Sequence, residues 1–391
     1  MSPRPTPPPT SGQHLAIGLA PSRPAADTRA LHQLHHALAP QEQPAAVLPG
    51  RHLEQVTAEL APLLALFTHQ AAGPYGRTRL DDAVGGYEHA VLTYCGALAG
   101  AALGEVHGQV TATAGEALLH GLALARRRLP EPSVYVSEHA HDHSVRACEL
   151  LGMNTIRIPA RGDGTMDPDA LRQQTRLRRG AGALVLATCG TPLNGASDDI
   201  TQLRAAAAGS GPVHIHVDAA AGGLAAAHTD LAVPWSLAHG AHSLTLSGHP
   251  LLGLPLPAGI SLVRRVPDQP SAHLPDPAPG PPTAACPSAL GTLLLWSRLR
   301  CLGRAGVAAL VARSQDTAAY ALTRFEAAGA APQHLPGSLA VTFERPAPWV
   351  ADKWDLYCRG DRARITTAGP LTHTAVDELA ADLRAARQTA A

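Results

Sequence analysis

Lysine is nearly missing from this chain: of 31 basic side chains, Lys353 is the sole lysine and the other 30 are arginines. A GC-rich coding bias toward arginine accounts for most of that skew, but it leaves chemistry that needs an ε-amine with one donor. Aromatics are scarce too, at 3%, so the interior must be built from Ala, Leu and Val. Net charge is absent. Lys+Arg and Asp+Glu both number 31, so no field draws the protein toward nucleic acid or an anionic membrane, and neither is expected as a partner. No apolar run reaches the roughly 20 residues that span a bilayer. The N-terminus lacks a charged start followed by an apolar stretch, so no secretory signal is expected. The six cysteines (Cys95, Cys148, Cys189, Cys286, Cys301, Cys358) form no CxxC pair, which argues against a zinc knuckle or a disulfide framework and suits reduced thiols in a cytoplasmic protein.

What is abundant is turn chemistry. With 36 glycines and 35 prolines, elements should be short and often interrupted, as in an α/β enzyme frame. Residues 1–49 are rich in Pro, Ala and Gln (RPTPPPT) and are expected to be a disordered arm, a proline-rich docking ligand being the alternative. Beyond them, elements alternate as in βαβ units with a parallel sheet. Short strands are expected at Ser133–Val136, Ala183–Ala187, Val213–Val217 and Ser243–Leu246, and helices at Glu116–Arg128 and Ser144–Leu151. The arginines Arg126 to Arg128 suit the negative end of a helix better than a phosphate site. A proline-rich loop, Leu274–Pro287, follows; helices at Leu293–Leu302 and Ala308–Ala328, a strand at Leu339–Phe343 and a closing helix at Thr374–Arg387 complete the chain. The expected division is an arm (1–49), a large domain (50–290) and a small α+β C-terminal domain (291–391), without internal repeats.

In open α/β sheets, functional residues gather just past the carboxyl ends of strands. Those ends carry His139 and His141, Cys189 to Thr191, Asp218, and Ser247 to Pro250. His139, His141 and His143 alternate, as do His214, His216 and Asp218, so either set could gather a metal; in a chain with 21 histidines the bland reading is preferred and no metal is expected. Cys189 could be a nucleophile, but without a matched His/Asn pair a buried structural thiol is the simpler reading.

IHVDAAAGG followed by SLTLSGHPLLGLPLPAGISLVRR resembles the segments HADAA and SGHKMIGSPIPCGIVVAKK of the group II, fold-type I pyridoxal-phosphate (PLP) decarboxylases, bacterial histidine decarboxylase above all. SEHAHDHSVRACELLGM is similar to the family's SEDTHYSVAKAVRLLRM, ATCGTPLNGASDDI to its ANIGTTVRGAIDD, and GYEHAV to its FEKEV. ITTAGPLTHTAVDELAADL is like its last helix region, so the ordered blocks run from about Gly73 to Arg387. The resemblance implies the aspartate-aminotransferase-like fold, PLP as cofactor, and a dimer whose active sites lie at the subunit interface.

Carried over position by position, the resemblance places Asp218 against the pyridine nitrogen, where a carboxylate keeps that nitrogen protonated. It places His141 over one face of the cofactor ring and Ala220 on the other, Thr191 at the first threonine of the family's GTT, and Ser247 and His249 toward the phosphate. Three departures stand beside these. The glycine-rich helix start Gly-Gly-Thr-Glu-Gly-Asn becomes Thr113, Ala114, Gly115, Glu116, Ala117, Leu118, so Gly115 remains but the approach to a phosphate is more crowded. The lysine of Ser-Gly-His-Lys becomes Pro250, which has no amine and no N–H. The arginine of the family's GSRNGH falls at Pro287, and Lys353 aligns with the C-terminal domain. The expectation is a pseudoenzyme: a decarboxylase homologue acting as subunit, scaffold or regulator, as a homodimer or beside an active paralogue. Covalent PLP is not expected. The alternative is a carboxy-lyase of altered chemistry using non-covalently bound PLP or a PLP–amino acid adduct, with an amino acid or amine as ligand.

Overall fold

The computed structural model describes Ala58 and residues 79–129, 131–230, 233–265, 288–369 and 371–390. The arm through residue 49, the stretch Leu274–Pro287 and Cys286 lie outside the described residues. Helix α1 (Arg79–Leu98) leads into β1 (Val106–Thr111) and α2 (Ala114–Arg128). There follow β2 (Ser133–Ser137), α3 (Asp142–Leu150), β3 (Thr155–Ile158), α4 (Pro168–Arg176), β4 (Ala183–Thr188) and α5 (Ile200–Ala207). Then come β5 (Val213–Asp218), a single turn α6 (Gly223–Ala226), β6 (Ser243–Ser247) and β7 (Gly259–Arg264). These strands form one seven-stranded sheet in the order β1-β7-β6-β5-β4-β2-β3, in which β7 alone runs antiparallel to its neighbours.

The two faces of the sheet differ in chemistry. On one, Tyr135, Val185, Ile215 and Val217 join the main apolar core. On the other, β2 and β4 present Val134, Val136, Leu184 and Leu186, which pack against Leu118, Leu122 and Ala125 of α2. The register pairs Leu184 with His214 and Leu186 with His216, so this same face turns polar at β5. His214 Nε2 and His216 Nδ1 both lie on Ser243 Oγ, at 2.9 and 2.8 Å, and His216 Nε2 is 3.2 Å from Thr245 Oγ1. The His214 ring stacks on His242 at 4.8 Å. The alternation HIH is thus one half of a buried hydroxyl–imidazole layer beneath α2, and among the described residues no group of three or more His, Cys, Asp or Glu is placed to hold a metal ion.

Helix α2 is positioned at both ends. Thr113 Oγ1 accepts the Glu116 N–H at 3.2 Å, and the Glu116 carboxylate takes the Ala112 N–H at 3.2 Å, so the first turn is capped from within. At the other end Arg126 donates to the Leu151 carbonyl and Arg128 to the Arg264 carbonyl, which ties the helix to its neighbours. The helix sits close. A Cβ added at Gly121 would lie 2.5 Å from His216 Cε1, and His216 is fully buried and held by two hydroxyls. Gly121→Ala gains about 1 kcal/mol of helix propensity but overpacks at a typical cost of 1–3 kcal/mol. A net loss of up to about 2 kcal/mol is expected, read as a lowered midpoint in urea unfolding.

The expected helices at Leu293–Leu302 and Ala308–Ala328 are one element, α7 (Ala289–Ala327), broken at Gly303, whose φ of 59° and ψ of −177° are non-helical. The sequence reading separated them at the right place because the break is a glycine in left-handed φ space. Leu294, Leu295 and Leu299 before the break and Val307, Leu310 and Val311 after it pack into the core of the large sheet, and further along Ala318, Ala321 and Phe325 belong to a second core. That core is completed by β8 (Gln333–His334), β9 (Ala340–Glu344), α8 (Pro348–Trp354), β10 (Tyr357–Arg359), β11 (Arg362–Thr366) and α9 (His373–Ala390), with an antiparallel sheet in the order β10-β11-β9-β8. Phe325 meets Phe343 edge to face at 4.9 Å at its centre.

Candidate functional site

Every strand end singled out in the sequence lies along one edge of the large sheet, as parallel strands require. Strand β5 ends on Asp218, whose Oδ1 accepts the Ala220 N–H at 3.3 Å and whose Oδ2 accepts the Ser144 hydroxyl at 3.1 Å. Its carboxylate retains some open edge, yet protein surrounds it and burial pushes its pKa up, with the two hydrogen bonds and then His141 and His143 opposing that rise. His141 caps α3, its Nδ1 accepting the His143 N–H at 3.1 Å, which leaves Nε2 as the donor of the neutral ring. The ring is solvent-open on one side and 4.6 Å from that of His143. Desolvation on its inner side lowers its pKa, helped by repulsion from His143 and Arg364 against the pull of Asp218 and Asp142.

The loop after β4 runs through Cys189 and Gly190. At Gly190, φ is 96° and a Cβ would approach Gly222 N to 2.7 Å, so only glycine lets this loop lie against the one that follows Asp218. The Thr191 hydroxyl is spent inside its own turn, donating to Asn194 Oδ1 at 2.7 Å and accepting the Ala196 N–H at 2.9 Å. Cys189 is buried and its thiol is pushed up to about 12 by desolvation, so it is a structural thiol and no nucleophile. After β6, Ser247 Oγ accepts the His249 N–H at 3.1 Å, His249 is exposed, and a cis peptide leads into half-buried Pro250. Gly115, in the first turn of α2, has His143 Nδ1 and Thr113 Oγ1 as the nearest atoms to an added Cβ, each at 3.8 Å.

The structure therefore brings Asp218, Ser144, His141 and His143 into one cluster, sets Gly115 beside it, and places Thr191 and Pro250 on one cavity of about 100 Å³. Ser338, Leu339, Thr366 and Arg364 of the C-terminal unit line the same cavity. Arg364 was not singled out in the sequence, because one arginine among 30 in a strand carries no local signal. It donates to the Pro192 carbonyl and lies 5.0 Å over the Tyr357 ring. Ser144 was likewise read only as the start of a helix; its contact with Asp218 is made across 74 residues.

This donor set fits a pyridinium ring, whose N–H a desolvated carboxylate can take, with an imidazole on the open side. None of these residues carries an ε-amine. The sole lysine, Lys353 on α8, pairs with Asp382 at 2.6 Å and lies 5.5 Å over Trp354.

Sheet order, strand-end site and appended antiparallel unit together define a fold-type I PLP-dependent enzyme frame. Residues 120–273 match the model of the pyridoxal-dependent decarboxylase conserved domain. Over those residues the chain is similar to the PLP-dependent amino-acid decarboxylases, histidine decarboxylases among them. It is 28% identical over 310 residues to the histidine decarboxylase of Klebsiella aerogenes, covering 76% of this chain and 80% of that enzyme. Against the histidine decarboxylase of Pseudomonas fluorescens it is 28% identical over 293 residues, 72% of this chain and 71% of the other. In fold it is similar to the L-methionine decarboxylase from Streptomyces sp.590, with a TM-score of 0.77 at 19% identity over 97% of this chain and 98% of that one. A glutamate decarboxylase of Lactobacillus brevis superposes with a TM-score of 0.72 at 16% identity, over 95% and 94% of the two chains.

Proposed function

We propose that this chain is a pseudoenzyme of the histidine decarboxylase-like group, a cytoplasmic subunit, scaffold or regulator that pairs with a second copy of itself or with a lysine-bearing paralogue. The observation that carries this reading is Pro250. It follows Ser247, Gly248 and His249 at the end of β6, where the family resemblance places the amine that tethers PLP, and the only ε-amine of the sequence stands on α8 in an ion pair. Without that amine the cofactor has no covalent attachment, and the steps in which a lysine receives and returns protons have no donor. The remnant of a cofactor site in this reading is His141, Asp218, Ala220, Thr191, Ser247, His249 and Gly115.

The protein incubated with PLP and reduced with borohydride should carry no phosphopyridoxyl group on any peptide, as read by mass spectrometry. A labelled Lys353 would refute the reading. A second reading, a carboxy-lyase working through non-covalently held PLP, is favoured by the desolvated Asp218 alone; it requires amine production that rises with added PLP, whereas co-purification with a lysine-bearing paralogue favours the first.

A further inference from the structure

We infer that, however PLP is held at the strand ends, the opposite, amino edge of the large sheet binds a phosphate-type dianion between Arg128, Arg204, Arg264 and His242. The three guanidiniums come from separate elements: Arg128 ends α2, Arg204 lies in the last turn of α5 and Arg264 ends β7. They meet at His242, the residue before β6, whose ring lies in the field of Arg204 first, then of Arg128 and Arg264, with no carboxylate opposing them. Hydrogen bonds fix this neighbourhood. The Arg264 N–H donates to the His242 carbonyl at 2.9 Å, Arg128 Nη2 to the Arg264 carbonyl at 2.8 Å, and Arg264 Nη2 to the Leu237 carbonyl at 2.5 Å. The Arg204 guanidinium lies over Gly240, where a Cβ would fall 2.6 Å from its Nη2.

Little balances these cations. Among the described residues, the one carboxylate paired with any of the three arginines is exposed Glu105, 3.7 Å from Arg264 Nη1, and an exposed pair at that distance contributes little. Arg204 has no such partner, and its Nε and Nη2 are buried without a hydrogen-bond acceptor. An arginine that only complemented the negative end of α5 would aim those N–H groups at terminal carbonyls; this one aims them at none. A buried guanidinium N–H without an acceptor is unfavourable, and charge-assisted, two-pronged bonds to an oxyanion relieve it. Because residue 240 has no side chain, the guanidinium has room to turn toward such an anion. His242 adds a neutral donor: its Nδ1 accepts the Ile215 N–H at 2.9 Å, which leaves the ring proton on Nε2. All four side chains are half-buried, within reach of a dissolved ligand yet less screened than a fully exposed cluster. Three guanidiniums beside one weakly paired carboxylate leave an excess that suits a dianion better than a monoanion.

The test titrates full-length protein with inorganic phosphate by calorimetry at about pH 8, where phosphate is a dianion, with ionic strength held constant by sodium chloride. Saturable binding with a Kd of about 1 mM or tighter is expected. Arg204→Gln should weaken one bound equivalent at least about tenfold, whereas Arg387→Gln, which removes an arginine paired with Glu344 on the C-terminal unit, should leave both affinity and stoichiometry unchanged. Glycerol 3-phosphate is the second probe: if it binds more tightly than inorganic phosphate, the site takes a phosphate monoester, and the reverse order assigns it to the free ion. Absence of saturable phosphate binding in the unaltered protein would overturn the inference whether or not Arg204→Gln folds. So would a folded Arg204→Gln that keeps every equivalent at its original affinity, since the phosphate would then sit elsewhere, the cofactor cradle included.

Discussion

Pro250→Lys should convert a chain that PLP does not label into one in which most molecules carry a borohydride-reducible adduct at position 250, accompanied by a visible absorbance band absent from the parent. The expectation rests on the hydrogen bonds of the turn, none of which needs an N–H at position 250. The bonds that close it, Leu252 N–H to Gly248 O and Gly253 N–H to Pro250 O, both at 3.2 Å, use no N–H at position 250 and survive the exchange. The new side chain would start on the wall of the cavity shared with Thr191 and Arg364. In that partly desolvated position, facing a nearby guanidinium, an ammonium is disfavoured, so a larger share of the amine is neutral and nucleophilic at neutral pH. Losing proline loosens the unfolded chain and costs about 0.4–1 kcal/mol of stability, which a large domain tolerates. A folded variant that stays unlabelled would place the defect in the phosphate cradle, where Thr113 already engages the Glu116 N–H of the first turn of α2 and Glu116 the Ala112 N–H before it.

Acid should unfold this protein unusually early. The layer beneath α2 holds His214 and His216 on β5 and His120 on α2, all buried, with His107 and His242 at its rim. Burial first, then mutual repulsion or nearby arginines for all but His216, lowers His107, His120 and His242 to about 4 and His216 to about 3, with His214 depressed further. A histidine that is harder to protonate when folded than when unfolded destabilises the native state as pH falls below the unfolded value near 6.5. The penalty grows until the folded pKa is reached, and above pH 6.5 it vanishes. At pH 5 each of the three buried rings costs about 2 kcal/mol at most, so the layer costs on the order of 4–6 kcal/mol, with His107 and His242 adding less because solvent reaches them. Asp198 works in the opposite sense. Burial raises its carboxyl to about 6, so the fold gains from protonating it as pH falls, which offsets roughly one histidine. The net loss, about 2–4 kcal/mol, is a large fraction of the roughly 5–15 kcal/mol that an ordinary domain has in all. Urea midpoints measured from pH 8 to 5 should be flat above about 6.5 and fall steeply below it. A profile that stays flat to pH 5 would mean that the rings are charged or hydrated in the native protein.

The resemblance blocks were legible because they are local. SEHAHDHSV, IHVDAAAGG and SLTLSGHP each hold a strand end and its loop in one contiguous stretch, so Asp218, His141 and Pro250 could be set just past strand ends from the sequence, while their roles come from the resemblance. Ser144 and Arg364 were not legible, since one completes Asp218 across 74 residues and the other reaches the cleft from a separate sheet. The alternating histidines showed a further limit. Period two puts His214 and His216 on one face, but whether that face gathers a metal or a row of hydroxyls depends on Ser243 and Thr245, which arrive on the neighbouring strand.

What the amino-acid order determined by itself was the α/β frame, the strand ends and a proline at position 250, because backbone period, turn residues and side-chain chemistry are properties of short segments. What only the folded chain decided was the electrostatic state of the site: the desolvation of Asp218, the burial of the histidine layer and the guanidinium of Arg364 on the cavity that Pro250 also lines. Charge states answer to burial and to neighbours brought in from afar, and those exist only once the strands are side by side.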